Sequence, residues 1–229
     1  MAPQPRHVHP TAPLATRALL PGDPGRALQL AQELTSEPKM FNHNRGLWGY
    51  TGTAADGEPL TIMSHGIGGP CAAIVLEELC DLGVEVVVRI GTCGALTGDL
   101  ALGELIAATR VVAADGTSRA LGAGADLEPD ADLLAALRAH ADHDGTVVST
   151  DLFYDPDPTR AAAWRSAGAI AIEMEAAAIL AVAARRGLRA ACVLAVSDSA
   201  AGGGERIAPD ALTAASSRLG RAGLAALGI

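Results

Sequence analysis

Aromatic side chains are nearly missing from this chain: two Trp, two Tyr and two Phe make up 3% of 229 residues, while apolar residues reach 49%. A core of this composition must be packed from Ala, Val, Leu and Ile, which suits helices laid on a parallel sheet. Positive charge is in deficit as well. The formal net charge is −9 and the pI about 5.0, which argues against nucleic acid or an anionic membrane as a partner. Any anionic ligand must then be held by a local cluster of arginines and backbone N–H groups, against the global field. Cysteine is limited to Cys71, Cys80, Cys93 and Cys192, with no CxxC spacing, so the chain reads as a cytoplasmic protein with four buried thiols, not as a disulfide framework or zinc site. No run of about 18 apolar residues exists and no apolar h-region opens the chain, so neither a membrane span nor a signal peptide is expected. Internal repeats, low-complexity linkers and domain boundaries are absent too. The expected fold class is α/β: one domain over residues 1–229, with a mixed central sheet and helices on both faces.

What is present is a series of short strands, each followed by a turn rich in chemistry-bearing residues. Residues 1–16 are polar and Pro-rich and read as an irregular arm carrying His7 and His9. An apolar run at 17–20 ends in PGDPGR (21–26), a tight turn with Pro24 near the start of a helix over 24–35. Gly22 and Arg26 in that turn suit an anion cradle, and equally an ordinary strand–turn–helix junction. Residues 49–53 and 59–64 read as a hairpin turning at 55–57, preceded by a surface Arg45. SHGIGGP (64–70) opens a helix over 70–82. It is similar to a dinucleotide glycine loop, but Cys71 stands where GxGxxG needs glycine and no ribose-binding acid follows. The strongest strand covers 84–90 and places Arg89 at its end before a Gly-Thr-Cys-Gly turn with Thr92. Arg89 there pairs either with an anion or with a core carboxylate. Residues 105–114 read as a strand pair or bulged strand, 115–129 as a loop, 130–141 as a helix and 145–149 as a strand. Phe153 and Tyr154 then offer either loop packing or a stacking face for a planar ligand.

The stretch AIAIEMEA (169–176) sets Glu173 and Glu175 between an apolar strand and an alanine-rich helix. A buried carboxylate without a partner costs several kcal/mol. If the strand runs through Glu175, both carboxylates share one face and point into a cleft at a strand end. Otherwise Glu175 is an acid stabilising a helix N-terminus. The last strand, 188–196, leads into Ser197, Asp198 and a triple-glycine loop, with a final helix over 208–227. Asp198 reads as a buried acid beside a lid, or as a turn residue.

Taken together, PGDPGR (21–26), NRGLWGYTGT (44–53), SHGIGGP (64–70), VRIGTCGAL (88–96), TDLFYDP (150–156), IEMEAAAI (172–179) and VSD (196–198) resemble the nucleoside phosphorylase family, which includes bacterial purine nucleoside and uridine phosphorylases. The resemblance implies a partly barrel-like mixed sheet, a cytosolic hexamer built as a trimer of dimers, and no metal or cofactor beyond phosphate as co-substrate. It implies phosphate binding by Gly22, Arg26, Arg89 and Thr92, with Arg45 donated by a neighbouring subunit. Ribose falls to Met174 and Glu175, with His7 (or His9) reaching over from the neighbour. The base falls to Phe153, Ile172, Glu173 and Ser197, and proton donation at the base to Asp198.

Asp-Leu-Phe-Tyr followed by Val-Ser-Asp is similar to the purine enzymes, whereas Thr92 is more usual in uridine enzymes. The purine enzymes carry a further arginine downstream of the aspartate; Ala211 occupies that position here, and Arg206 is the residue left to serve. The reaction this implies is reversible phosphorolysis of purine ribo- or deoxyribonucleosides in purine salvage. The alternatives are a uridine phosphorylase, a hydrolytic nucleosidase and a nucleoside-binding homologue with little or no turnover.

Overall fold

The computed structural model describes residues 5–199 and 204–229. β1 (Arg17–Pro21) passes through Gly22 and Asp23 into α1 (Pro24–Leu34). Asp23 caps the helix, its Oδ1 accepting from the Arg26 N–H at 2.7 Å, and Pro24 occupies a first-turn position whose N–H has no helical partner. Ala27, Leu30 and Ala31, spaced three and four apart, form its buried face. β2 (Ser36–Asn42), absent from the sequence reading, is mostly exposed and pairs only with β3 (Gly49–Thr53). Pro38 is tolerated there because an edge strand needs only half its ladder bonds. β3 and β4 (Pro59–Met63) form the expected hairpin.

α2 (Gly69–Asp81) leads to β5 (Val86–Ala95). The Gly91–Gly94 segment is strand, not turn. It stays in the sheet because it pairs with β10 (Arg189–Ser199) along its length and with β9 (Ala169–Glu173) at Gly94 and Ala95. Arg89 therefore stands inside the strand. β6 (Leu105–Ala114) is one strand with a register shift between Ala108 and Arg110. The stretch 115–129 holds α3 (Gly116–Ala120) and β7 (Asp126–Leu127) as well as loop. α4 (Ala131–Arg138), capped by Asp130, precedes β8 (His143–Thr150). α5 (Arg160–Ser166) lies in a stretch the sequence reading left unassigned. α6 (Ala176–Arg186) follows β9, and α7 (Pro209–Ala226) closes the fold.

The sheet runs β10-β6-β8-β9-β5-β1-β4-β3-β2, and β10 also pairs with β5, which closes β5, β10, β6, β8 and β9 into a ring. β1 and β10 run parallel to β5, while β9 runs antiparallel to it, so the sheet is mixed. Two apolar layers cover it. One is built around α2 and α6, and α6 is buried from Ala176 to Ala183, as a helix enclosed on all sides must be. The other joins Leu30 of α1, Leu133 of α4 and Leu219 of α7 to Leu19, Val88 and Ile90 of the sheet. Each such buried Leu, Val or Ile contributes ~1.5–3 kcal/mol. The class expected from composition is the one observed. Of the four thiols, Cys93 and Cys192 are buried, whereas Cys71 and Cys80 are only half-buried; all four are free.

Candidate active site

A cavity of about 1000 Å³ opens where β1, β5 and β10 run out at the same end of the sheet. Parallel strands leave such a crevice at their carboxyl ends because each chain turns away there into the next element. Gly22, Arg26, Arg89, Thr92, Phe153, Ile172, Glu173, Met174, Glu175, Ser197 and Asp198 all line it. Residues far apart in sequence and singled out for their chemistry thus share one enclosure.

Its rear wall is an ion cluster. Arg89, 2% exposed, donates from Nε to Glu173 Oε2 at 2.9 Å and from Nη2 to Glu175 Oε2 at 2.6 Å. Nη2 also lies 2.7 Å from Glu173 Oε2, and Nη1 reaches Nε2 of His65 at 2.9 Å. Gly91 permits this arrangement: a Cβ there would lie 2.7 Å from Nη2, so only glycine lets the guanidinium fold back over β5. Burial works against the Arg89 charge, but Glu175 and Glu173 outweigh it and hold the group above its usual value. Among the described residues three of its five N–H donors form hydrogen bonds, and the second Nη1 hydrogen forms none.

The two carboxylates differ in position and task. β9 ends at Glu173, and Glu175 sits at the N-cap of α6, so the alternation that would put them on one strand face does not operate. They converge because the chain turns between them. Glu173 accepts from the backbone N–H of Glu175 and Ala176, both at 2.9 Å, and from the Ser149 hydroxyl. It caps α6 and orients Arg89. Glu175 does not cap; its Oε1 accepts from the Gly68 N–H at 2.5 Å. Gly68 adopts φ 90°, a conformation that favours glycine, so the glycine loop delivers a backbone donor to this carboxylate. Burial pushes Glu175 above the ordinary carboxylate range; Arg89 opposes that shift and Glu173 adds to it. Its oxygens keep lone pairs for hydroxyl donors from the cavity.

Beside this cluster the wall is electropositive. Arg26, half-buried at the start of α1, donates from Nε to Ser216 Oγ at 3.0 Å and forms no salt bridge among the described residues. Desolvation lowers its pKa; Asp23 partly compensates, and Arg89 adds to the lowering. Among the described residues its four Nη hydrogens have no protein acceptor. Gly22 and the Thr92 hydroxyl lie in the same wall. This is the arrangement of a site waiting for an anion.

The far end of the cavity is less enclosed. Ser197 and Asp198 both face it, although neighbours on a regular strand point to opposite sides. The register shift between Val196 and Asp198 explains this, since the extra residue turns the strand. Ser197 Oγ donates to Asp198 Oδ2 at 2.9 Å. Ile172 and Met174 add apolar lining. Phe153 is 59% exposed at the rim and meets Tyr154 edge-on at 5.0 Å. Arg206 forms a backbone bridge opposite Asp198, but its side chain is exposed and does not line the cavity. The triple glycine 202–204 lies partly outside the described residues.

His7 and Arg45 also stand off this cavity. His7 Nδ1 bonds Glu78 Oε1 at 2.7 Å, and the same carboxylate receives the backbone N–H groups of Arg6, His7 and Val8. Arg45 is exposed on a turn at φ 57°. The two are nonetheless neighbours, because Asn44 Nδ2 donates to the His7 carbonyl at 2.9 Å. His9 turns its Nε2 to the Arg6 carbonyl.

Sequence reasoning passed over His65, Trp164, Asp155 and Asp157. Trp164 lines the cavity from α5, as do both aspartates from the loop before it. Trp164 had one signal, being one of two tryptophans in an aromatic-poor chain. Cys93 lines the cavity as a fully buried thiol whose pKa burial pushes well up, so it is not a thiolate nucleophile. Among the described residues, no group of three or more His, Cys, Asp or Glu is placed to hold a metal, and no helix is long and apolar enough to cross a membrane.

Comparison with known proteins agrees with this geometry. The model of the phosphorylase superfamily matches residues 16–227. A guanosine phosphorylase of Halorubrum lacusprofundi is 37% identical over 213 residues, covering 90% of this chain and 88% of its own. A DeoD-type purine nucleoside phosphorylase of Geobacillus kaustophilus is 35% identical over 209 residues, covering 87% and 88%. Another of that type, from Proteus mirabilis, is 35% identical over 189 residues, covering 79% of each chain.

Proposed function

Because the chain belongs to the phosphorylase superfamily, we propose that it catalyses reversible phosphorolysis of purine ribo- or deoxyribonucleosides, yielding free base and (deoxy)ribose 1-phosphate. The observation that carries this reading is the pairing of opposites in one cavity: Arg26, a cation with no salt bridge among the described residues, and Glu175, a buried carboxylate with lone pairs to spare, both line it. The first suits phosphate and the second suits sugar hydroxyls. Purine enzymes among the relatives favour the purine branch over uridine.

In the forward direction, phosphate held by Arg26, the remaining Arg89 donor, Thr92 and backbone N–H groups attacks C1′ of the sugar. The bond from C1′ to the base breaks and its electron pair leaves with the purine. Asp198, entering protonated, gives its proton to the departing base and is left as a carboxylate. Phosphate also serves as counter-charge to the cationic sugar that develops. Glu175 accepts from the sugar hydroxyls and turns C1′ toward phosphate. Ile172, Met174 and Phe153 supply the apolar faces for the base. Phosphate is the co-substrate, and no metal or organic cofactor takes part; an unchanged rate after chelation is the expected check.

His7 and Arg45 are adjacent on the surface and away from their own cavity, which supports their being presented together to the cavity of a neighbouring subunit in a hexamer. Mixing Arg45→Ala with Arg26→Ala chains should then restore activity that neither has alone, because the intact cavity of the first receives Arg45 from the second, and verified mixed oligomers without recovery would rule out the sharing. The reaction belongs to purine salvage in the cytoplasm, which fractionation of cells would check. The direct test is base release from inosine, adenosine, guanosine and uridine with and without phosphate. Release from purines only when phosphate is present is expected. Release without phosphate would make the protein a hydrolase, and preferential uridine cleavage would move it to the pyrimidine branch.

A further inference from the structure

His65 is a fully buried titratable group for which the proposed reaction has no use. It stands in the glycine loop after β4, strapped to the β1–α1 turn by two backbone bonds: His65 N–H to the Pro21 carbonyl and Gly66 N–H to the Gly22 carbonyl, both 3.0 Å. Its ring lies directly behind Gly22, where a Cβ would meet His65 Cε1 at 3.6 Å. Among the described residues the one side-chain bond of the ring is from Arg89 Nη1 to Nε2 at 2.9 Å, and Nδ1 is buried without a side-chain partner.

A guanidinium has donors only, so Nε2 must be the lone-pair nitrogen and the single ring hydrogen must sit on Nδ1. That hydrogen lies toward the backbone carbonyls of Gly66 and His65, which leaves Nε2 as the acceptor presented to Arg89. We propose that His65 is a positioning residue for the anion site: its unprotonated Nε2 fixes the plane of the Arg89 guanidinium and so aims the remaining Nη1 hydrogen into the cavity. Without this third anchor, Glu173 and Glu175 hold only the Nε and Nη2 side of the group, and the whole plane can tilt about that side, carrying Nη1 with it.

The charges that face the ring agree with the neutral form. Arg89 and Arg26 both act on it, with Glu173 and Glu175 on the far side of Arg89, and burial followed by the Arg89 charge keeps the imidazole well below its usual pKa. A proton on Nε2 would set donor against donor. No other titratable group in the site makes a side-chain bond to it.

The proposal rests on the phosphorylase reading only for the name of the anion. Phosphate binding is measured calorimetrically on the full chain for the wild type, His65→Gln and His65→Leu, with the KM for inosine and guanosine alongside. Gln places an acceptor oxygen near Nε2, and Leu does not. The expected result is phosphate affinity within ~3-fold of wild type for Gln and weakened ~10-fold or more for Leu, the scale of losing one hydrogen bond to a charged group, with the nucleoside KM little changed. In parallel, long-range nitrogen-15 NMR of the wild type should show His65 as the Nδ1–H tautomer. That reading needs neither folded variants nor turnover. A protein with this tautomer but no phosphate-dependent activity would sink the phosphorylase reading and leave the Arg89 contact standing. An Nε2–H tautomer, an imidazolium at neutral pH, or a folded Leu variant that binds phosphate like wild type would overturn the proposal.

Discussion

Arg89 and Arg26 line one cavity and illustrate two ways of burying a cation. Arg89 is satisfied by its own fold: two carboxylates and an imidazole engage all three of its nitrogens. Arg26 has one neutral contact, Ser216, and no carboxylate partner among the described residues. A charge that the fold neutralises belongs to the protein's stability, and one that it leaves open belongs to the ligand. The difference separates two roles that a motif list would merge under phosphate binding.

The sharpest way to break the comparison is to delete each arginine. Arg89→Ala leaves Glu173 and Glu175 buried and unpaired, and should cost ~3–5 kcal/mol of stability, read from denaturant melts. Arg26→Ala removes a partly desolvated cation and one hydrogen bond to Ser216, so stability should change by ~1 kcal/mol or less, while the phosphate KM rises ~10²-fold through loss of charge-assisted contacts. Equal destabilisation by the two substitutions would erase the distinction drawn here.

A second approach uses the ligand. Phosphate at about a hundred times its dissociation constant should stabilise the wild type by ~2.7 kcal/mol, measured as a rise in thermal midpoint. Arg26→Ala should lose most of that rise at the same phosphate concentration. At the other end of the cavity, Asp198→Ala should lower purine phosphorolysis ~10²-fold with little effect on phosphate binding. Near-normal turnover of inosine by that variant would remove Asp198 from proton donation.

These contrasts also show what the sequence makes legible. The turn PGDPGR and the strand before it are local: Asp23 caps the helix that its own spacing announces. The positions of Glu173 and Glu175 were found for a reason that does not hold. Strand alternation suggested a shared face, but β9 stops at Glu173 and the turn into α6 brings the second carboxylate round to Arg89. The choice between an anion and a core carboxylate for Arg89 could not be made from residues alone, since both partners arrive through folding over more than eighty positions of chain. His65 carried no signal because its importance lies in a contact with Arg89 that only packing creates. Ser197 and Asp198 both face the cavity through a register shift that no periodicity encodes.

The smallest expected effect concerns pH, and His65 gives it a definite sign. In the folded chain burial and the Arg89 charge hold its pKa well below the ordinary 6.5, whereas the unfolded chain titrates near that value. Below about pH 6.5 the unfolded state therefore binds a proton that the native state refuses. This contribution to stability is complete above that range and is lost as pH falls, by ~1 kcal/mol between pH 6.5 and 5.5. Glu175 acts in the opposite sense: its raised pKa favours the protonated native state, so its contribution grows as pH falls through that raised value. The difference between wild type and His65→Gln isolates the imidazole from this and every other titration. That difference should narrow in favour of the variant as pH drops from 7.5 to 5.5. A constant difference would mean that His65 takes up its proton in the native state too, and that the contact from Arg89 to Nε2 does not require the neutral ring.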